Sequence, residues 1–349
     1  MESTLKIAIY GAGAMGTVLG AFLSKSGVAV DMVCRNKAHV QALKERGATV
    51  RYTENGEEKF LCAKVNALLP EEMGGGYDVV FLMTKQRENE KIALFLKEKL
   101  SEKGIVCTTQ NGLPEEGLSK ILGKEKVYGA ALTWGATRTG DGEVMLTSEL
   151  SAMSLSVGGY RNSNQMAGAL GEILKNVQTI NGNENFLTVT DNLAGARWSK
   201  LTINAAFSGL SVVTGLTFGE IAKRRKTKRL ALKILHECFS VAAAQGVKLA
   251  PLQGHDLQKL LGGKGFFKKQ ISLFLLPFAI KKHKRLTSGM LKDIQEGKRC
   301  DIDYICGAVT SLGDEYGVDT PTLDTVLEIV HGIENGLYEI SVQNTDFFE

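Results

Sequence analysis

A short apolar strand, residues 6–10 (KIAIY), runs straight into Gly11-Ala12-Gly13-Ala14-Met15-Gly16 and then into the helical pattern MGTVLGAFLSKSG. Strand, glycine turn and helix in that order leave few folds open, because a parallel α/β sheet uses this G-x-G-x-x-G spacing to seat a dinucleotide. Gly11 permits the tight turn, Gly13 lets the backbone approach a pyrophosphate, and Gly16 lets the helix pack on the strand. The first N–H groups of the helix then face the phosphates. All six residues are candidate cofactor contacts, and the chain is expected to begin with an α/β Rossmann-type domain.

The second strand, residues 28–34, ends in Arg35-Asn36-Lys37, where an NAD-preferring site would often place an acid. A ribose 2′-phosphate would welcome Arg35, so NADPH is favoured over NADH; a solvated arginine at a strand end is the plainer alternative. Asp31 lies too early in the strand to be the usual ribose acid. Residues 48–65 alternate around Glu54-Asn55-Gly56-Glu57 as a hairpin-like insertion would. Two further buried strands, 78–83 and 105–109, end in Thr84-Lys85 and Gln110-Asn111-Gly112. Ligands gather at the carboxyl ends of strands in open α/β sheets, which makes Lys85 and Asn111 candidates for both cofactor and substrate contact. Against that stand an exposed lysine opening a helix and an ordinary Asn-Gly turn.

Strands at 127–134, 143–147 and 155–157 extend the sheet, and a helix at 163–176 and a strand at 178–180 close the first domain. Residues 181–185 (NGNEN) form the best linker, giving domains at 1–184 and 185–349. Two domains also suit 349 residues, since single cores rarely grow beyond about 250 to 300. Beyond the linker the apolar residues recur at i, i+3 and i+4, so the second domain is read as all-α.

Within it, residues 197–214 (RWSKLTINAAFSGLSVVT) are apolar nearly all round. As a regular helix, the stretch gathers Arg197, Lys200, Asn204, Ser208 and Ser211 within roughly 80° of arc. A lysine in such a helix needs a substrate cleft or a buried ion pair to explain it. Further on stand Thr287-Ser288-Gly289-Met290-Leu291-Lys292-Asp293 and then Asp301 near the start of another helix, where a carboxylate also serves as a plain helix cap.

Composition removes other classes. A net charge of +4 is too weak and dispersed to argue for nucleic acid. The basic run at 223–229 passes into an apolar helix with no aromatic interleaving, and reads as a solvated face. Residues 266–280 (FFKKQISLFLLPFAI) are short and broken by Pro277, which favours a core or subunit-interface helix over a membrane-surface one. No window approaches 18 apolar residues and no secretory leader pattern is seen. The six cysteines form no CxxC pair, and the expected compartment is a reducing cytoplasm. The histidines are scattered, so no metal site is expected, and no G-x-S-x-G nucleophile motif is present.

Taken in order, GAGAMG at 11–16, TK at 84–85, QNG at 110–112, RWSKLTIN at 197–204 and SGMLKDIQEGKRCDID at 288–303 resemble the ketopantoate reductase (2-dehydropantoate 2-reductase) family along about the whole chain. The resemblance implies a Rossmann domain and an all-α domain like the C-terminal one of 6-phosphogluconate dehydrogenase, with the active site between them. It implies reduction of ketopantoate by NADPH to pantoate, on the route to pantothenate. Lys200 matches the family's general acid, Asn204 a substrate contact one turn on, Lys85 and Asn111 residues near nicotinamide and substrate, and Asp293 the acid of the MLxD segment. This chain has Ser208 where many members carry a second Asn, Gly289 where they carry a second Ser, and Asp301 in place of a Glu. Ser288 is the residue able to cover for Gly289. Substrate contacts expected are therefore Asn204, Asn111, Lys85, Ser208, Ser288 and Asp301, with reduction of another 2-oxo acid, or a non-catalytic NADP(H)-binding regulator, as alternatives. A homodimer is compatible with the chain; nucleic acid and membrane are not expected partners.

Overall fold

The computed structural model describes residues 5–54, 56–162, 165–252, 254–263, 265–281 and 284–348, with only the backbone of 162 and of 178–181. The chain divides into two compact units. One comprises the residues up to Gln110 with Pro114–Leu193; the other comprises Asn111–Leu113 with the residues from Ala194 onward.

In the first unit the strands are β1 (Ile7–Tyr10), β2 (Asp31–Val33), β3 (Ala48–Glu54), β4 (Glu57–Ala63), β5 (Asn66–Leu68), β6 (Tyr77–Leu82), β7 (Leu100–Thr108), β8 (Val127–Leu132), β9 (Ala136–Gly140), β10 (Glu143–Leu146), β11 (Leu155–Gly159) and β12 (Leu187–Val189). The helices are α1 (Ala14–Lys25), α2 (Lys37–Arg46), α3 (Asn89–Lys99), α4 (Glu115–Leu122) and α5 (Ala167–Asn181). The main sheet runs β12-β11-β8-β7-β6-β1-β2-β5. Its β5-β2-β1-β6-β7-β8 portion is parallel throughout and has the Rossmann strand order, which reverses direction between β1 and β6. As expected of a strand covered on both faces, β1 is buried at every position.

The expected hairpin is there, with Glu54 opposite Glu57, but β3 and β4 do not join the main sheet. They form a second sheet, β4-β3-β10-β9. The 143–147 strand therefore leaves the main sheet to pair with β3, a correction to its expected place. Between the two sheets lies α1, which touches β1 and β2 on one side and β3, β4, β9 and β10 on the other. That sandwich explains why the helix after the glycine turn is apolar all round, with an unbroken buried run from Gly16 to Leu23. His39 ties the layers together: its Nδ1 accepts the Gly142 N–H at 3.0 Å and its Nε2 lies 3.2 Å from Thr17 Oγ1. Asp31, held by Tyr77 and Asn66 side chains, is a structural acid.

Two expectations at the end of this unit fail. No strand forms at 178–180, because the helical spacing of buried Leu170, Ile173, Leu174 and Val177 carries α5 through to Asn181; the expected start at Ser163 lies outside the described residues. The unit also does not end at residue 184, since β12 pairs parallel with β11 and the division falls after Leu193. At the other boundary Asn111–Leu113 groups with the helical unit, where Leu113 packs against the second core.

The second unit is helical: α6 (Leu193–Ile203), a π-helical segment Asn204–Ser208, α7 (Gly209–Thr214), α8 (Phe218–Lys223), α9 (Arg225–Ala244), α10 (Leu257–Leu261), α11 (Phe266–Ala279), α12 (Gly289–Gln295), α13 (Ile302–Tyr316) and α14 (Pro321–Glu334). Its core gathers Trp198, Phe207, Leu210, Leu235, Ile305 and Val326 around the π segment. The start of α14 is capped from another element, with Glu237 accepting the N–H groups of Thr322 and Leu323. Most of the 223–229 run is solvent-exposed at the α8–α9 junction. On α11, Ser272 and Leu276 are buried while Phe267, Ile271, Phe274 and Phe278 form an exposed stripe, so it is not a core helix on that side. No helix among the described residues is long and apolar enough to cross a membrane.

Candidate active site

The carboxyl ends of β2, β1, β6 and β7 lie side by side, and each delivers a candidate residue to one rim. After β1, Gly11 adopts φ +105°, and a side chain there would strike Thr84 and Met83 at the end of β6. A Cβ on Gly16 would come within 2.4 Å of the Gly11 carbonyl oxygen and 3.1 Å of Ile9. A Cβ on Gly13 meets nothing within 4 Å. The three glycines thus divide as the spacing predicts: a tight turn, a helix–strand contact, and open space before the α1 N-terminus, where no side chain caps the helix. That open cradle fits a dinucleotide pyrophosphate, with Ala12, Ala14 and Met15 supplying the rest of the turn.

The neighbouring strand ends are braced by Gln110. Its amide exchanges hydrogen bonds with Asn89 at 2.7 and 3.0 Å, accepts from Thr108 Oγ1 and donates to Thr84 Oγ1. This buried network fixes the segments that carry Lys85 and Asn111; both of those side chains are exposed. Lys85 opens a short 3-10 turn, Gln86–Glu88.

Arg35 follows β2 as expected, and its guanidinium is engaged: Nη1 donates to Glu88 Oε2 at 2.7 Å. Beside the pair lies a cavity of about 310 Å³ whose lining includes Tyr10, Lys37, Lys91 and Phe95 as well as Arg35 and Glu88. Glu88 is a residue that the sequence reasoning missed. Its only signal was an acid three positions after Lys85, which nothing in the sequence links to Arg35, 53 positions away.

In the helical unit, the stretch that reads as one regular helix is interrupted. Asn204–Ser208 widens to the i→i+5 pattern, a distortion that tends to occur at functional sites. The contacts around it show what accommodates the extra residue. Cys306 Sγ donates to the Ala205 carbonyl at 3.7 Å, and Gly209 lets Cys306 and Val326 approach to 3.2 and 3.0 Å of where a Cβ would stand. Each residue of a π turn advances by less than the α-helical angle, which draws Ser208 back toward line with Lys200 and turns Ser211 away. Accordingly Ser211 is fully buried and structural, donating to the Leu216 carbonyl at 2.8 Å and accepting the Ser288 N–H at 3.3 Å.

Lys200 and Asn204 are half-buried and Ser208 is buried. Among the described residues none of the three side chains makes a hydrogen bond or ion pair. Loss of solvent, and then the nearby charge of Arg197, lowers the Lys200 pKa from 10.5 to about 7. The ion-pair explanation for Lys200 therefore does not hold within the described residues, and a row of unanswered polar groups remains.

The 288–303 segment meets the lysine helix through α12, which packs on α7 and the π segment. Ser288 caps α12, its Oγ accepting the Met290 N–H at 3.1 Å. Gly289 is exposed, and a Cβ there would meet nothing within 4 Å. Asp293 lies in α12. Asp301 stands at the N-cap position of α13 but its side chain makes no capping bond, so the plain capping role does not describe it. No cluster of three or more metal-ligating side chains occurs among the described residues.

Residues 7–158 match the family model for ketopantoate reductase PanE/ApbA, and residues 192–334 match the model for its C-terminal domain. The chain belongs to the ketopantoate reductase family. The reductase is 27% identical to the 2-dehydropantoate 2-reductase of Archaeoglobus fulgidus, covering 95% of this chain and 99% of that one, and 26% identical to that of Lactococcus lactis, covering 95% and 98%. Among solved structures it is similar to a ketopantoate reductase from Ralstonia eutropha, at 25% identity with a TM-score of 0.77 over 95% of this chain and 99% of that one. It is equally similar to D-mandelate dehydrogenase bound to NADH and anilino(oxo)acetate, at 25% identity, TM-score 0.77 and the same coverage. The curated relatives make this chain an oxidoreductase.

Proposed function

We propose that the chain reduces 2-dehydropantoate to pantoate with NADPH, a step toward pantothenate, and that Lys200 is its general acid. The observation that carries the reading is the Lys200 ammonium: desolvated by burial, beside the Arg197 charge, without a partner among the described residues, and with its pKa drawn to about 7. A proton donor works best when its pKa lies near the operating pH, and a water-poor setting strengthens its charge.

The α1 N-terminus and the backbone at Gly13 would hold the pyrophosphate, and Arg35 the 2′-phosphate, with Lys85 and Asn111 toward the nicotinamide. NADPH, once bound, supplies the hydride that adds to the 2-oxo carbon. As the carbonyl oxygen gains charge, Lys200 Nζ stabilises it and passes over its proton, leaving a neutral amine. Asn204 and Ser208, on the same side of the helix, offer hydrogen bonds to the substrate's oxygens, and Ser288 and Asp301 are assigned to its far wall. The substrate carboxylate offsets the mutual repulsion of Lys200 and Arg197 and so favours the protonated lysine at the moment it is needed.

A second reading has its own support. Ser208 is short, the space at Gly289 is open, and a relative of equal structural similarity is a D-mandelate dehydrogenase. A bulkier, aromatic 2-oxo acid suits those features. A panel of 2-oxo acids followed by NADPH absorbance decides: fastest turnover with 2-dehydropantoate supports the first reading and with an aromatic 2-oxo acid the second. No oxidation by any of them, with NADPH still bound, leaves only a cofactor-binding regulator.

A further inference from the structure

We propose that Glu88 sets the cofactor preference of this enzyme, holding the choice between NADPH and NADH close to even. This rests on the assignment of Arg35 to the ribose 2′ position. Glu88 comes from the turn after β6, whereas an acid that recognises a ribose hydroxyl in this fold ordinarily ends β2. Here that end carries Arg35, and the two side chains meet across the β1 switch point at 2.7 Å. One rim therefore holds both determinants, a guanidinium suited to a 2′-phosphate and a carboxylate suited to a 2′-hydroxyl.

Each cofactor meets the pair differently. A 2′-phosphate must take Arg35 from Glu88. The bond itself is easily broken, because both partners are substantially exposed and solvent screens such a pair. The backbone under the carboxylate is anchored, however, since the next residue, Asn89, is clamped to Gln110 by reciprocal amide bonds, and the Glu88 side chain can turn aside only within its own reach. Within that reach it remains a like charge near the incoming phosphate. A 2′-hydroxyl needs no such displacement: it donates to Glu88 while Glu88 keeps Arg35. Lys37 and Lys91 line the same cavity, so the lining stays cationic on balance and NADPH is still admitted.

The test is titration calorimetry of the full chain with NADPH and NADH, and with the fragments 2′,5′-ADP and 5′-AMP, for the wild type, Glu88→Gln and Arg35→Ala. The wild type is expected to bind the two cofactors within about tenfold of each other. Glu88→Gln, an isosteric change on an exposed turn, is expected to raise the ratio Kd(NADH)/Kd(NADPH) by roughly 5- to 20-fold, with the fragments following and the effect shrinking at high salt. Arg35→Ala is expected to lower the same ratio. If Glu88→Gln leaves the ratio within twofold while Arg35→Ala lowers it, the role of Glu88 is overturned and the cofactor assignment stands. If the wild type binds no nucleotide, or Arg35→Ala leaves the ratio unchanged, the assignment falls and the Glu88 proposal with it.

Discussion

Lys200 concentrates the chemistry at the scale of single residues, and its lowered pKa has consequences for both rate and stability. For reduction, kcat/KM reports the free enzyme, so it should fall about tenfold per pH unit above about pH 7 as the ammonium is lost. Replacing the lysine with Met should cost roughly 10² to 10⁴-fold in kcat and abolish that limb of the profile. Stability runs the other way. Between about pH 7 and 10.5 the unfolded chain holds a proton that the folded lysine has released, so the Lys200 contribution to stability rises with pH across this window, and the penalty for burying the charge is full below it. Lys200→Met removes a penalty on the order of a few kcal/mol and should melt higher than wild type at pH 6, with the gap closing by pH 10. A variant that melts lower at pH 6, or a pH–rate profile flat from 6 to 9, would contradict the assignment. The sequence marked this residue through its type and neighbours, but whether it had an ionic partner depends on elements far along the chain. The same is true of Arg35, whose bond to Glu88 joins two strand ends.

Among the elements, the glycine turn shows how far a motif can be read without coordinates. The turn at Gly11 and the packing at Gly16 were legible at their own glycines, because each depends on a missing Cβ at a fixed spacing, and Gly13 faces the open space that a pyrophosphate would need. The contrast gives a test. Gly13→Ala adds a methyl to open space, so the melting temperature should barely move while cofactor affinity drops at least tenfold. Gly16→Ala drives a Cβ to 2.4 Å of the Gly11 carbonyl and should lose about 1 to 3 kcal/mol in urea unfolding. Equal behaviour of the two would refute this division of roles. The lysine helix is the opposite case. Its periodicity assumes 100° per residue throughout, and the π segment breaks that assumption after Ile203. Nothing in NAAFS announces the widening, which depends on Cys306 reaching the Ala205 carbonyl and on Gly209 admitting α13 and α14. Ser211 falls in the polar stripe only of a regular helix, and the π segment turns it into the core.

For the whole molecule, each unit has its own core and, conveniently, its own tryptophan: Trp134 in the first and Trp198 in the second. Single-tryptophan variants, Trp134→Phe and Trp198→Phe, let fluorescence follow the units separately. A ligand at 100 times its Kd stabilises its binding unit by about 2.7 kcal/mol. With 2′,5′-ADP, whose proposed contacts all lie in the first unit, the transition reported by Trp134 should move up and that reported by Trp198 should stay. Equal shifts would show that the chain unfolds as one. The sequence by itself determined the class of each unit, the parallel sheet with its glycine turn, the helical second half and the lysine on a buried helix. All of these follow from local periodicity and from residue types whose backbone or charge has few alternatives. The tertiary structure alone decided that 143–147 leaves the main sheet, that β12 extends the first unit past the expected linker, and that Asn111 belongs with the helices. It also decided that Glu88 answers Arg35 and that Lys200 is answered by no described residue, because pairings between distant segments are set by packing rather than by neighbours in the chain.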